Sequence, residues 1–263
     1  MTENILEVKN LKTYFYAPDG LIKAVDGVGF NIKEKEVFGL VGESGSGKTL
    51  TALSILKLIN PPGKIVEGEI LFNGIDLLHM YEEDLRGIRG SRISIVFQEP
   101  STAFNPVFTI GYQIMEAIVA HQKLDTRKAR ELSLEYLNRV HIPEPKKVFY
   151  DYPHQLSGGT KQRALIAMAL VNLPEIVILD EPTTALDVTI QAQILDLLDE
   201  IIEKENVSIL FISHDVGIIA RMCDRVGVMY KGRLIEMGET AEILNNPKKS
   251  YTISLLESVK ALL

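Results

Sequence analysis

The sequence predicts an α/β fold in which a mainly parallel core sheet follows an N-terminal antiparallel β subdomain and is interrupted by an inserted helical subdomain. Three observations carry this reading. Short continuous apolar runs, "VFGLVG", "EIVILD" and "VSILFIS", sit among helical patterns, as parallel strands covered on both faces do. Residues 5–42 read instead as strands separated by turns. From about 103 to 168, strand-like runs give way to helical periodicity.

Taken in order, "ILEVKNLKTYFY" is the first strand, with a turn at Pro18-Asp19-Gly20 before "IKAVDGVGFNI" and "VFGLVG". Thr49 to Ile59 is helical in pattern, closed by Asn60-Pro61-Pro62-Gly63. "GEILFNGIDL" is a strand turning at Asn73-Gly74, and "RISIVFQ" is another. In "TRKARELSLEYLNRV", Ala129, Leu132, Tyr136, Leu137 and Val140 share one helical face. In "TIQAQILDLLDEIIEK", Ile190, Ile194, Leu197 and Ile201 form a core stripe. No low-complexity linker and no fixed repeat interrupts the chain, so residues 1–263 are expected to form a single domain with a C-terminal tail from about 240.

Composition narrows the function. The 263 residues carry a net charge of −7, with 46% hydrophobic and 24% charged residues. That balance is ordinary for a globular protein, and it leaves no basic excess to neutralise a nucleic-acid backbone. Cys223 is the sole cysteine, which excludes an intrachain disulfide and a cysteine metal cluster. Its setting, "IARMCDRV", predicts a buried structural thiol on a helix. "MTENILEVKN" lacks a basic-then-apolar signal, and no apolar stretch is long enough to span a bilayer. The expectation is a cytosolic chain that something else must hold if it works at a membrane.

The chemistry-bearing residues begin with Gly42-Glu43-Ser44-Gly45-Ser46-Gly47-Lys48-Thr49, which fits G-x-x-x-x-G-K-[ST] between an apolar strand and a helix that continues with Leu50. Glycines let backbone N–H groups wrap phosphate oxygens, and the helix adds its positive end. Lys48 suits the β- and γ-phosphates of a nucleotide, and the Thr49 hydroxyl suits Mg²⁺. "IVILDEP" ends a strand in Asp180-Glu181: Asp180 can hold Mg²⁺ and Glu181 can act as general base on water. Gln98, after "SIVF", can ligate Mg²⁺ or the attacking water. His214 ends "LFIS" at the same sheet edge, unlike His79, His121, His141 and His154, which read as surface or core residues. Leu156-Ser157-Gly158-Gly159 is a second helix start shaped for an anion, more than a hundred residues from the first.

The phosphate loop, Gln98, Leu156-Ser157-Gly158-Gly159, Asp180-Glu181, "TALD" with Asp187, and His214 occur in an order and approximate spacing that resembles ABC-type ATPases across nearly the whole chain. The resemblance implies a P-loop NTPase fold of that type, ATP and Mg²⁺ as ligands, and transport-coupled ATP hydrolysis. It also implies that two ATPase domains pack head to tail. Ser157, with the amides of Gly158 and Gly159, then touches ATP held by the partner, and Asp187 contacts the opposite site. Gly42 to Leu50 would line the chain's own ATP, with Asp180. An aromatic near the start is expected on the adenine, Phe15 by its distance from the turn, with Tyr14 and Tyr16 as alternatives. Glu181, His214 and Gln98 are the expected catalytic residues; Thr49, Gln98 and Asp180 the expected metal ligands.

"FQEPSTAFNPVFTIGYQI", "EPTTALDVTIQAQIL" and the tail "NNPKKSYTISLLESV" resemble the oligopeptide, dipeptide and nickel importer ATPases. That implies a second ATPase (a paralogue rather than a copy), two membrane permeases, an extracytoplasmic solute-binding protein, and a place on the cytoplasmic face of the membrane. Residues around Phe104 to Tyr112 would meet the permease, and nucleic acid would be no partner. The chain departs from the pattern at Thr160, where glutamine or methionine is commoner. Its 263 residues do not include the cysteine-rich tail that binds an iron–sulfur cluster in many peptide-importer subunits, as expected either of a short, nickel-type member or of a sequence cut before that tail. The rivals are weaker. An ABC ATPase acting on DNA or ribosomes would carry long coiled-coil insertions or tandem domains; a non-ABC kinase would lack the Ser157 segment; an inactive partner would lack Glu181 and His214.

Overall fold

The structure is a computed structural model describing residues 4–18, 20–184 and 186–260. It divides into two compact units, Met1–Leu85 with Ser208–Leu263, and Arg86–Val207.

The first unit opens with β1 (Asn4–Ala17), β2 (Gly20–Lys33), β3 (Val37–Val41), α1 (Lys48–Ile55), β4 (Gly63–Phe72), β5 (Ile75–Asp76) and the short α2 (Glu82–Arg86). The second unit follows with β6 (Ile93–Val96), α3 (Pro100–Ala103), α4 (Ile110–His121), α5 (Thr126–Arg139), α6 (Pro145–Tyr150), α7 (Gly158–Leu170), β7 (Ile176–Asp180) and α8 (Val188–Glu205). The chain then returns to the first unit for β8 (Ser208–Ser213), α9 (Val216–Met222), β9 (Arg225–Tyr230), β10 (Arg233–Glu239), α10 (Thr240–Asn245) and α11 (Ser250–Lys260).

In the first unit, β2, β1, β4 and β5 form an antiparallel sheet in that order. A type I′-like hairpin joins β4 to β5, with both Asn73 and Gly74 at positive φ (48° and 78°). Pro18 lies in the turn after β1; Asp19 of the expected turn lies outside the described residues. The other strands run β10-β9-β3-β8, with β3 parallel to both β8 and β9. Every residue of β3 and β8 is buried, which accounts for the apolar runs Val37–Val41 and Ile209–Ile212. Phe30 of β2 and Phe38 of β3 stack with centroids 5.0 Å apart, so apolar surface is shared between the two strand systems of this unit.

In the second unit β6 and β7 pair in parallel, Val96 opposite Leu179. Between them every described helix or strand is helical, α3 through α7. Thr109, Asp125 and Ser157 cap α4, α5 and α7 through side-chain oxygens that accept backbone N–H groups of the first turn.

Four local expectations are corrected. α1 ends at Ile55, not Ile59, in a Schellman closure: Leu58 N–H reaches Leu53 O (2.8 Å), Lys57 N–H reaches Ser54 O (3.0 Å), and Lys57 takes φ 50°. On α5, Leu132 is only half-buried and Ser133 is buried, its hydroxyl satisfied by Ala129 O at 2.7 Å. The α8 stripe is Ile194, Leu195, Leu197, Leu198 and Ile201, with Ile190 half-buried. Cys223 lies just past α9 in extended backbone; it is buried, and burial pushes its thiol well above the usual range.

Candidate functional site

The phosphate loop leaves the carboxyl end of β3 and enters α1. Two of its glycines are required sterically. A Cβ on Gly42 (φ +155°) would meet Met229 O at 2.2 Å, and one on Gly47 (φ +104°) would meet Ala24 O at 2.4 Å. The loop is braced internally by Ser46 N–H to Glu43 O (3.1 Å) and externally by Gly232 N–H to Ser46 O (2.9 Å). Gly47 caps α1 without a side-chain acceptor, so the cap itself supplies nothing to compete with an anion at the helix start. Lys48 is 5% exposed, and its ammonium donates to Gly42 O (2.8 Å) and Glu43 O (3.0 Å), curling over the loop.

Glu43, Ser44 and Gly45 are exposed, as is Thr49 in the first turn of α1; Leu50 is half-buried. The Ser46 hydroxyl is buried and has no hydrogen-bond partner among the described residues. A buried orphan hydroxyl, a buried ammonium and a bare helix start at one loop fit a polyphosphate.

His214 follows β8, which pairs in register with β3, Val41 opposite Ser213. It therefore shares the carboxyl edge from which the phosphate loop departs. Its side chain is exposed, and Asp215 after it caps α9 by accepting Gly217 N–H (2.7 Å) and Ile218 N–H (3.3 Å).

The aromatics near the start have distinct placements. Tyr14 donates its hydroxyl to Asp26 at 2.7 Å, and that hydrogen bond is the main cause raising its pKa to about 12. Phe15 is half-buried against Gly63, where an added Cβ would stand 2.7 Å from its ring. Tyr16 is 53% exposed, with the Lys64 ammonium 6.0 Å from its ring centre.

In the second unit, β7 delivers Asp180, 2% exposed, and Glu181. Glu181 takes a left-handed φ of 48°, uncommon outside glycine, and is half-buried. Gln98, beyond the end of β6, donates its amide to Glu181 Oε2 at 3.0 Å, and Thr184 donates its hydroxyl to the same oxygen at 3.0 Å. Two donors on one oxygen fix the carboxylate's orientation. Thr184 opens the "TALD" segment, but the sequence signal there points to Asp187 and gives Thr184 no role of its own. The oxygen donors Asp180 and Gln98, like the Thr49 hydroxyl, are the hard ligands Mg²⁺ takes.

Ser157 is exposed and caps α7, accepting Thr160 N–H at 3.2 Å; its hydroxyl also lies 2.9 Å from the Thr160 hydroxyl. The threonine departure is thus absorbed into the cap. Gly158 is exposed, while Gly159 is buried against Ile190 of α8. Asp187 caps α8 by accepting Ile190 N–H at 3.0 Å, and its side chain is exposed. Within this unit the structure brings Gln98 and Glu181 into contact beside Asp180. It also brings the Gly158-Gly159 turn to the first turn of α8.

A family model described as ABC transporter matches residues 25–184. The chain is 48% identical over 261 residues to the dipeptide transport ATP-binding protein DppD of Bacillus subtilis, covering 99% of this chain and 78% of that one. It is 46% identical over 259 residues to the oligopeptide transport ATP-binding protein OppD of the same organism, covering 98% and 72%. Among solved structures, the dimeric post-hydrolysis ATP-binding cassette MJ0796 with ADP and Pi superposes with a TM-score of 0.80 at 29% identity, covering 89% of this chain and 98% of that one. CbiO1 of Clostridium perfringens, part of the transporter complex cbiONQ, gives 0.77 at 29% identity, covering 99% and 98%.

Proposed function

The chain belongs to the ABC transporter family as an ABC ATPase that binds ATP with Mg²⁺, and on that premise we propose that it powers a peptide importer. DppD and OppD are named as dipeptide and oligopeptide transport ATP-binding proteins, and nearly the whole of this chain aligns with each. Among the described residues no helix is long and apolar enough to cross a membrane. The assembly we propose has this chain paired head to tail with a paralogous ATPase on the cytoplasmic face. Beneath it lie two permeases, fed by an extracytoplasmic binding protein. Phe108, Tyr112 and Val119 expose apolar surface on and before α4 that suits a permease contact.

Within that assembly each residue has a defined task. The amides of Gly42 to Leu50 and the Lys48 ammonium bind and orient the ATP phosphates, and Phe15 packs against adenine. Mg²⁺ neutralises charge on the phosphates when bound; Thr49, Asp180 and Gln98 would hold it. Glu181 takes a proton from the attacking water while Gln98 and Thr184 keep its carboxylate aimed, and His214 adds an imidazole to the reacting end. Ser157, Gly158, Gly159 and Asp187 act on the nucleotide of the partner.

The observation that carries the reading is the Glu181 carboxylate held by two donors on one oxygen at the end of β7. Glu181→Gln keeps the shape and both neighbours but removes the base. Steady-state ATP turnover is expected to fall by about 10²–10⁴, with Mg-ATP binding kept and an ATP-bound dimer accumulating on gel filtration. Turnover close to that of the natural chain would remove Glu181 from the role.

A further inference from the structure

The tail helix α11 reaches the phosphate loop. Tyr251 Oη accepts the backbone N–H of Glu43 at 3.2 Å. Independent contacts place that hydroxyl. The ring packs on Tyr230 with centroids 4.1 Å apart, and Thr252 beside it is buried. The turn leading into α11 is pinned by Glu236, whose carboxylate accepts Lys248 N–H (2.7 Å) and Lys249 N–H (3.1 Å). Burial first, with the Glu43 carboxylate adding to it, raises the phenol above the usual tyrosine range, so it stays a neutral hydroxyl.

The contact lies where the loop transmits displacement. Glu43 O accepts both Ser46 N–H (3.1 Å) and the Lys48 ammonium (3.0 Å). Ser46 O is tied in turn to Gly232 N–H (2.9 Å), two residues past Tyr230. Holding Glu43 therefore holds the lysine and the orphan hydroxyl of Ser46 with it. Without that hold, the exposed Glu43-Ser44-Gly45 arm has backbone freedom to lose when a ligand orders it.

We infer that Tyr251 is a positioning residue for nucleotide: α11 sets the phosphate loop in its binding shape through the Glu43 amide. The inference rests on the ATP reading of this loop. Preorganisation lowers the ordering cost of binding, and linkage makes the effect reciprocal, so bound nucleotide strengthens the docking of α11.

The test uses the full chain. Tyr251→Phe keeps the ring on Tyr230 and deletes the hydroxyl, and with it both the acceptor for the Glu43 amide and the hydrogen bond to the Glu43 carboxylate. Calorimetric titration with Mg-ATP is expected to show a Kd weaker by about three- to tenfold, the scale of one hydrogen bond. The turnover number at saturating ATP is expected to stay within about twofold, because the hydroxyl acts on loop shape and not on the transfer step. Without nucleotide, the Glu43 amide should exchange hydrogen faster in the variant while amides of the β1–β2 sheet do not change. A folded Tyr251→Phe protein with unaltered Kd and unaltered Glu43 exchange overturns the inference. Failure of the unsubstituted chain to bind Mg-ATP would overturn the ATP reading instead, and the exchange experiment, which needs no nucleotide, would still decide whether the tail holds the loop.

Discussion

Replacing Gly159 by alanine separates packing from ligand access at the start of α7. A Cβ added at Gly159 stands 2.7 Å from Ile190 Cγ2, whereas one at Gly158 finds Leu186 Cδ2 at 3.5 Å. Carbon pairs reach their optimum near 3.5–4.0 Å, so the first substitution overlaps a methyl group and the second merely touches one. Ile190 cannot swing aside easily, because a β-branched side chain on a helix has one strongly preferred χ1. The overlap must then be relieved by parting α7 from α8, at about 1–3 kcal/mol for overpacking. Against this, alanine gains about 1 kcal/mol of helix propensity over glycine. The single variant should therefore be destabilised by only about 0–2 kcal/mol, too ambiguous to decide the matter alone. A double-mutant cycle removes the ambiguity. Ile190→Leu moves the branch from Cβ to Cγ and deletes the offending methyl, while the propensity gain is common to both backgrounds and cancels. Urea unfolding of the natural chain, both single variants and the double variant should give a coupling energy of about 1–3 kcal/mol, positive in the sense that leucine rescues alanine. A coupling below about 0.5 kcal/mol would refute the claim that Ile190 dictates glycine at 159.

Ser157→Arg removes an exposed hydroxyl and the cap on Thr160, at a local cost of about 1 kcal/mol, yet leaves the phosphate loop untouched. Dilute protein should bind Mg-ATP normally, while in assembled pairs hydrolysis should be lost at the site whose ATP the partner holds. Monomers that hydrolyse ATP at full rate whatever their concentration would overturn the shared site. Asp26 accepts hydrogen bonds from Tyr14 (2.7 Å) and Arg233 (2.7 Å), which hold its carboxyl below the ordinary 3.8. A depressed folded pKa means that the stabilisation is present above 3.8 and is lost as the pH falls below it. Urea midpoints measured from pH 5 downward should fall less steeply below 3.8 for Asp26→Asn than for the natural chain; superimposable slopes would show that Asp26 carries no such linkage.

What could be read from the sequence was whatever physics keeps local. β3, β7 and β8 announce themselves because a strand buried at every position is apolar along its length, with the polar residues of β7 and β8, Asp180, Ser208 and Ser213, confined to strand ends. The phosphate loop does so because Gly42 and Gly47 sit where any Cβ collides with backbone. The misses depend on conformation or on distance. α1 kept its apolar pattern past Ile55, but a lysine, not a glycine, took the left-handed closing position, which no pattern flags. Ile190 has core spacing yet is half-buried, its Cγ2 methyl set against Gly159 of α7. Thr184 donates to Glu181 only because Glu181 adopts φ 48° and turns the chain back on itself. Tyr251 stands 208 residues from the amide it accepts, beyond any local signal.

The chain offers an anion two helix starts, and their chemistry is unequal. At α1 the cap is a glycine with no side-chain acceptor, and the first helical residue is a buried lysine. At α7 the cap is a serine whose hydroxyl already accepts a backbone N–H, and the first turn, Gly158-Gly159-Thr160, carries no cation. Lys161 comes next, with its ammonium on Ser101 Oγ at 3.1 Å. A helix start contributes about half an elementary charge, too little to gather a polyphosphate alone but enough to add to a site where a lysine already neutralises one. The α7 start is therefore suited to complete a nucleotide site and not to found one. In the proposed head-to-tail pair this inequality makes hydrolysis conditional on assembly: each chain binds ATP with its own α1 and commits it only when the partner's α7 arrives.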